Sequence, residues 1–416
     1  MRTVLVTGPG GAGTTTVAAA TARASARAGR RTLLVTRDHM PSGLGFPDDP
    51  GPVAADDLLD HARTDSAAHF RTELLALQER ASAVFDLLGA GRMDAEELTE
   101  LPGSAELALL HTLHRAASGD WAGAGYDTLV VALPPLTEAL ALLALPGRLR
   151  RYLRRLLPQE RQAARALRPV LAQLAGVPMP AQWLYAAAAR KDAELAEVEA
   201  LIEDRSTTLR LVAEPGPAAE DALRAARTGF ALHGLRTDLL VANRVLPRHS
   251  ADPWFAGLAA QQEKTLARWY EDRAPRPEGA SGGATSHEPP REELHEAPHL
   301  GHDPRTPEDL DLLGIPAPDD RPAGRADDPW WTERAPHDGP DGPEGFVWCL
   351  PLPGAVKSGL RLVRRGDEIL LAVGPFRRSV HLESALRRCT VSGAALRDGV
   401  LRVRFTPDPS LWPRTP

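Results

Sequence analysis

The chain opens Arg2-Thr3-Val4-Leu5-Val6-Thr7-Gly8-Pro9-Gly10-Gly11-Ala12-Gly13-Thr14-Thr15-Thr16, and the reading of this stretch decides the fold. A short β-branched run leads into a glycine-rich turn, and the threonines open an alanine-rich segment. Strand, glycine loop and helix in that order are the layout of a phosphate-binding loop. The glycines let the backbone curl so that successive N–H groups face an anion, and the helix N-terminus adds partial positive charge. The spacing fits G-x-x-x-x-G-K-[ST] from Gly8 to Thr15, except that Thr14 stands where the lysine belongs. A lysine there reaches the β- and γ-phosphates through charge-assisted hydrogen bonds, each contributing roughly 1.5–3 kcal/mol.

Residue by residue, GPGGAGTTT resembles the deviant loop G-K-G-G-V-G-K-T-T of the arsenite-pump ATPase (ArsA) and tail-anchored-protein-targeting ATPase family. In that family the first lysine crosses a dimer to the partner's nucleotide, and here Pro9 replaces it. The resemblance implies an ATP or ADP site built from Gly8, Gly10, Gly11, Ala12, Gly13, Thr14, Thr15 and Thr16, with magnesium reached through the Thr15 hydroxyl. With both lysines gone, it implies weak binding. It also makes a homodimer one expectation.

The chain has 416 residues, enough for a large domain and a small one, and its 43% hydrophobic and 25% charged residues are ordinary globular values. A net charge of -6 gives no basic footprint for nucleic acid. The two cysteines, Cys349 and Cys389, lack metal-ligand spacing and read as free buried thiols in a reducing cytoplasm. No structural metal is expected, and arsenite pumping is disfavoured because its soft-metal site needs clustered cysteines. Met1 leads directly into a strand, so no leader is expected, and no apolar run reaches the roughly 18 residues of a spanning helix.

The helix after the loop ends at Gly29, and residues 31–36 (RTLLVT) read as a second buried parallel strand. Asp38 follows. The resemblance makes it the candidate for positioning the attacking water, with its register off by one; the other reading is a turn or N-cap aspartate. From about residue 55 to 118 the spacing of Leu74, Leu77, Ala81, Phe85, Leu88, Leu107, Leu110 and Leu113 predicts helices. The resemblance implies a helical client-binding subdomain here, which in the targeting ATPases is a methionine-rich apolar groove. Only four methionines occur in this chain, and core packing explains these stripes better.

Residues 126–133 (YDTLVVAL) read as the next strand, and Pro134 to Pro146 resemble the family's second switch in apolar frame only. Ala132 replaces the aspartate of the magnesium shell, and Glu138 replaces a histidine. Residues 149–169 are strongly basic, either a solvated helical face or a patch for an acidic partner or a membrane surface. Residues 242–247, Ala-Asn-Arg-Val-Leu-Pro, resemble the family's V-N-R-V-L-P, whose asparagine amide reads the adenine edge. Asn243 is therefore the expected adenine contact, since an amide offers both a donor and an acceptor; its bland reading is a polar strand-end cap.

Residues 273–297 read as a polar insert too hydrophilic to fold, and 316–343 as a flexible linker. His295, His299 and His302 have loose metal-like spacing but read as solvated. Beyond residue 344 the period changes to two, with strands expected over 347–350, 359–363, 368–373, 376–381, 390–392 and 400–405. The phrases LPLPGAVKSGLRLVRRGDEILLAVG and ALRDGVLRVRF resemble the α-crystallin (small heat-shock protein) sandwich, which actinobacterial relatives of these ATPases carry at this place.

The expected architecture is α/β: a doubly wound, mostly parallel P-loop sheet with a helical subdomain over 1–315, then a small all-β sandwich over 344–408. The expected role is a degenerate-site member of the family that binds an unidentified protein client, with or without nucleotide. The alternative is a working ATPase whose cations come from a partner subunit or from an arginine such as Arg37.

Overall fold

The computed structural model describes the chain except residues 81, 83–90, 158–180, 274–291, 320–328, 336–344, 409 and 412–416. The N-terminal part is built on β1 (Arg2–Thr7), β2 (Thr32–Thr36), β3 (Val53–Asp56), β4 (Leu59–Arg63), β5 (Thr128–Ala132), β6 (Thr207–Ala213), β7 (Thr237–Val245) and β8 (Glu293–Pro298). They form one eight-stranded sheet in the order β3-β4-β2-β5-β1-β6-β7-β8, parallel apart from β3. Strands β5 and β6 are buried along their whole length and β1 from Thr3 onward, as strands covered on both faces must be.

Helices α1 (Thr14–Arg27), α2 (Ser66–Arg80), α3 (Ser104–Ala117), α4 (Leu136–Leu143), α5 (Leu145–Leu156), α6 (Ala181–Glu203), α7 (Pro217–His233), α8 (Pro253–Arg273) and α9 (Pro307–Leu312) flank it. Helix α1 lies tight on the sheet because Val17, Ala18, Ala19, Ala20 and Ala22 are small and buried. Its far end is pinned by Arg23 and Arg27 to Asp311 of α9. The crossovers β1-α1-β2 and β6-α7-β7 place the glycine loop at the C-terminal edge of central strand β1.

Four stretches differ from the sequence reading. Residues 53–63, expected to join a helical region from about 55, form β3 and β4. There His61 is buried, with its ring nitrogens 2.9 Å from Thr36 Oγ1 and 2.7 Å from the Pro47 carbonyl oxygen, so a polar strand finds its partners inside. On α2 the stripe is turned: Leu77 is exposed while Gln78 is buried, bracketing Met93 by two hydrogen bonds. Ala81, Phe85 and Leu88 lie outside the described residues.

The polar stretch 273–297 ends in β8, whose backbone is satisfied by β7 and which needs only Ala297 fully inside. Residues 274–291 of that insert lie outside the described residues, as does the basic run beyond residue 157.

The C-terminal part is a β-sandwich. A four-stranded sheet runs β14-β15-β10-β9 and a three-stranded one β11-β12-β13, all antiparallel. The strands are β9 (Trp331–Ala335), β10 (Gly345–Pro351), β11 (Leu360–Arg365), β12 (Glu368–Val373), β13 (Phe376–His381), β14 (Cys389–Arg397) and β15 (Val400–Pro407), with a single turn of helix, α10 (Ser384–Arg387), before β14. Strand β9 falls within the stretch read as a linker; Trp330, packed on Trp348 with ring centroids 5.9 Å apart, anchors it. Trp348, Leu350, Ile369, Leu371, Val380, Leu401, Val403 and Phe405 form the core, and both cysteines are free and buried.

The sandwich is seated on the N-terminal part. Leu232 of α7 belongs to its core, and Phe376 packs into both cores. Thr228 Oγ1 donates to the Pro353 carbonyl (2.5 Å), Arg378 to that of Leu232 (2.7 Å) and Arg148 to that of Arg377 (3.1 Å). Arg151 and Arg155 of α5 both reach the Glu368 carboxylate, at 2.9 and 3.4 Å.

Candidate functional site

The glycine loop curls as its composition requires. Ala12 N–H donates to the Pro9 carbonyl, and Val17 N–H to that of Gly13, starting α1. Gly13 has φ 90°, a left-handed conformation, and a Cβ there would strike the Asn243 amide. A Cβ on Gly8 would strike the Val212 carbonyl. No acidic side chain occupies the first turn of α1, so its N–H groups and partial positive charge face the loop unopposed.

Asn243, at the end of β7, is buried and its Nδ2 donates to the Ala12 carbonyl at 2.8 Å. It clamps the loop from beneath, and the polar residue in a buried strand end is accounted for by that contact. Next to it Arg244 adopts φ 57° despite its side chain, a conformation that costs about 1–2 kcal/mol. Its guanidinium donates to the Gly11 carbonyl at 3.2 Å and lies 3.6 Å from Glu214 and 3.9 Å from Asp303. Sequence reasoning passed over Arg244, because nothing in a single sequence marks a left-handed arginine.

Gly13, Thr16, Asn243 and Arg244 open onto a cavity of about 280 Å³ closed by Pro298 to Arg305, the segment joining β8 to α9. His299 and His302 lie on its wall, while His295 Nε2 is 3.2 Å from the Leu313 carbonyl oxygen behind it. No cluster of histidine, cysteine or carboxylate residues arranged for a metal occurs among the described residues.

The second-switch stretch meets the loop on its other side. Thr7 Oγ1 donates to the Pro134 carbonyl (2.7 Å), and Leu136 N–H donates to that of Gly8 (3.1 Å). Ala132 offers no oxygen, and Glu138 is exposed. Asp38 is exposed at the turn after β2, where its carbonyl accepts from Thr36 Oγ1. It is not on the cavity wall.

The backbone and helix start of the cradle suit a nucleotide's diphosphate, and Thr15, in the first turn of α1, stands where the family pattern has its magnesium-ligating hydroxyl. The cradle's cation positions do not fit a γ-phosphate, with Pro9 and Thr14 where the pattern has lysines.

The profile of the family described as anion-transporting ATPase matches residues 1–275. The chain belongs to that family. A second profile, described as an HSP20-like domain found in ArsA, matches residues 343–405, over the sandwich. An uncharacterized protein of Streptomyces coelicolor is 54% identical over 100% of both chains. A Mycobacterium tuberculosis protein is 30% identical, covering 99% of this chain and 97% of its own. A protein of Aquifex aeolicus, named among arsenical pump-driving ATPases, is 24% identical over 93% of this chain and 95% of its own. The family's members bind nucleotide with magnesium. No helix of the described residues is long and apolar enough to cross a membrane.

Proposed function

We propose that this anion-transporting ATPase family member is a cytoplasmic, nucleotide-responsive protein-binding factor that hydrolyses ATP at or near background. The observation that carries the reading is a loop that keeps its glycine geometry and its Asn243 clamp while Pro9, Thr14 and Ala132 occupy the chemical positions. Phosphoryl transfer is mostly positioning and charge stabilisation, and a single trans arginine supplies about 10³- to 10⁵-fold. A site without its cations and without the switch aspartate keeps binding and loses rate.

Calorimetry with Mg-ATP and Mg-ADP tests the binding half: heat is expected, and its absence at millimolar ligand refutes it. A phosphate-release assay tests the other half. Steady turnover by the purified protein, abolished by Thr15→Ala, overturns the ranking in favour of a working ATPase. That second reading has one observation behind it: Gly10 and Gly11 are exposed at the loop apex, where a cation from a second copy has access.

A further inference from the structure

Arg244 carries more than a wall position. A non-glycine residue persists in the left-handed region only when its surroundings hold it there, and such residues cluster at ligand clamps. Here the holder is visible. Gln262 of α8 is buried; its Nε2 donates to the Arg244 carbonyl at 3.2 Å, and its Oε1 accepts from Leu246 N–H at 2.9 Å. This amide brackets the kink and turns the Arg244 side chain away from the strand direction toward the loop. Of the two arginines on the cavity wall, Arg244 is the one bonded to the loop itself, at the Gly11 carbonyl.

Loop carbonyls point away from the surface that the N–H groups offer to phosphate. A guanidinium on the Gly11 carbonyl thus stands at the rim, beside Asn243 and the cavity, rather than inside the anion cradle. Glu214 and Asp303 flank it at 3.6 and 3.9 Å as exposed ion-pair partners and leave it partly exposed. A planar guanidinium held by its edges keeps a face free to stack on an aromatic ring. The ligand-holding groups of this site are therefore concentrated on the nucleoside and first two phosphates, and those that would feel a third phosphate are replaced by Pro9, Thr14 and Ala132.

We infer that Arg244 is a nucleoside-holding residue of a nucleoside-diphosphate site, covering the nucleoside while the glycine loop takes the α- and β-phosphates, so that ADP and ATP are held alike. This rests on the nucleotide-binding reading above. It makes occupancy report total adenine nucleotide rather than the state of the γ-phosphate.

The test is calorimetry of the full chain with Mg-ADP and Mg-ATP, for the parent and for Arg244→Ala, Arg244→Lys and Arg244→Gly, each with a thermal melt. The parent is expected to bind the two ligands with Kd values within about threefold. Arg244→Ala and Arg244→Gly weaken both by about tenfold or more, the loss of one stacked cation, and Arg244→Lys, which lacks the planar face, recovers only part. Arg244→Gly also relieves the backbone strain, so its melting temperature stays at or above that of Arg244→Ala. ATP held far more tightly than ADP, or affinities unmoved by Arg244→Ala, overturns this inference and leaves nucleotide binding standing. No heat from either ligand with the parent overturns both.

Discussion

Gly229 on α7 and Phe376 on β13 approach so closely that a Cβ on the glycine would stand 2.9 Å from the ring, and 2.7 Å from Leu140 of α4. A glycine is thus the meeting point of the helix within the second-switch stretch, the helix between β6 and β7, and the sandwich. Gly229→Ala is expected to destabilise the chain by about 1–3 kcal/mol through overpacking, offset in part by roughly 1 kcal/mol of helix propensity. Hydrogen exchange in β13 should quicken while β12 and β15 keep their protection. An unchanged melt with unchanged exchange in β13 would show that the seat is not tight.

Glu368 is the charged half of the same seat, shared by Arg151, Arg155 and His381. Its carboxylate is largely covered, so Glu368→Gln leaves Arg151 short of a partner. A loss of roughly 1.5–3 kcal/mol is expected in denaturant melts at low salt. The loss should shrink at high salt because Arg155 is half-exposed and its attraction to Glu368 is screened there. A salt-independent loss would mean that shape rather than charge decides.

His233, at the C-terminus of α7, is pushed down to about 3 by burial, with Arg378 and then Arg148 adding to the effect. A histidine depressed in the folded state is neutral there but protonated in the unfolded chain at mildly acidic pH, so stability falls as pH drops below about 6.5 and is flat above it. Between pH 7.5 and 5 the loss from this group is roughly 1–2 kcal/mol. His111, held down to about 4 by burial and next by His69, acts in the same direction. His233→Gln should flatten part of the slope and His233→Gln with His111→Gln more of it. Parallel pH profiles for parent and double variant would refute the assignment.

The sequence showed the sheet, the loop and the sandwich because each rests on local chemistry: glycines at fixed offsets, fully apolar strands, and a change of period at residue 344. What it concealed is set by distant partners. Arg210 sits inside the fully buried strand β6 with its guanidinium buried, bonded to Asp238, Thr21 and the Pro316 carbonyl. No spacing rule marks an arginine that reaches the sheet's far end. Strands β8 and β9 are edge strands satisfied by one neighbour each, so their composition resembles a linker. The seating of the sandwich depends on Leu232, Gly229 and Phe376, which lie far apart in sequence and look ordinary one at a time. Arg244 was in plain view beside Asn243, but its conformation is fixed by Gln262 eighteen residues on.

Thr14 offers the most direct way to ask what the loop has lost. It is the first residue of α1, next to Gly13, and the missing lysine of the family pattern belongs there. Thr14→Lys restores a cation at the start of the helix without touching the Asn243 clamp or Gly8. If the cradle is a phosphate site, the new ammonium adds roughly 1.5–3 kcal/mol of charge-assisted contact, or about 10- to 150-fold in affinity. The gain should favour ATP over ADP, because a lysine at this position reaches toward the γ-phosphate. Turnover should stay near background, since Ala132 still offers no oxygen to the magnesium shell and Pro9 still lacks a charge. Adding Ala132→Asp to Thr14→Lys should then raise the rate while leaving ADP affinity nearly unchanged. Binding that Thr14→Lys leaves unaltered for both nucleotides would mean that phosphate does not sit in the glycine loop.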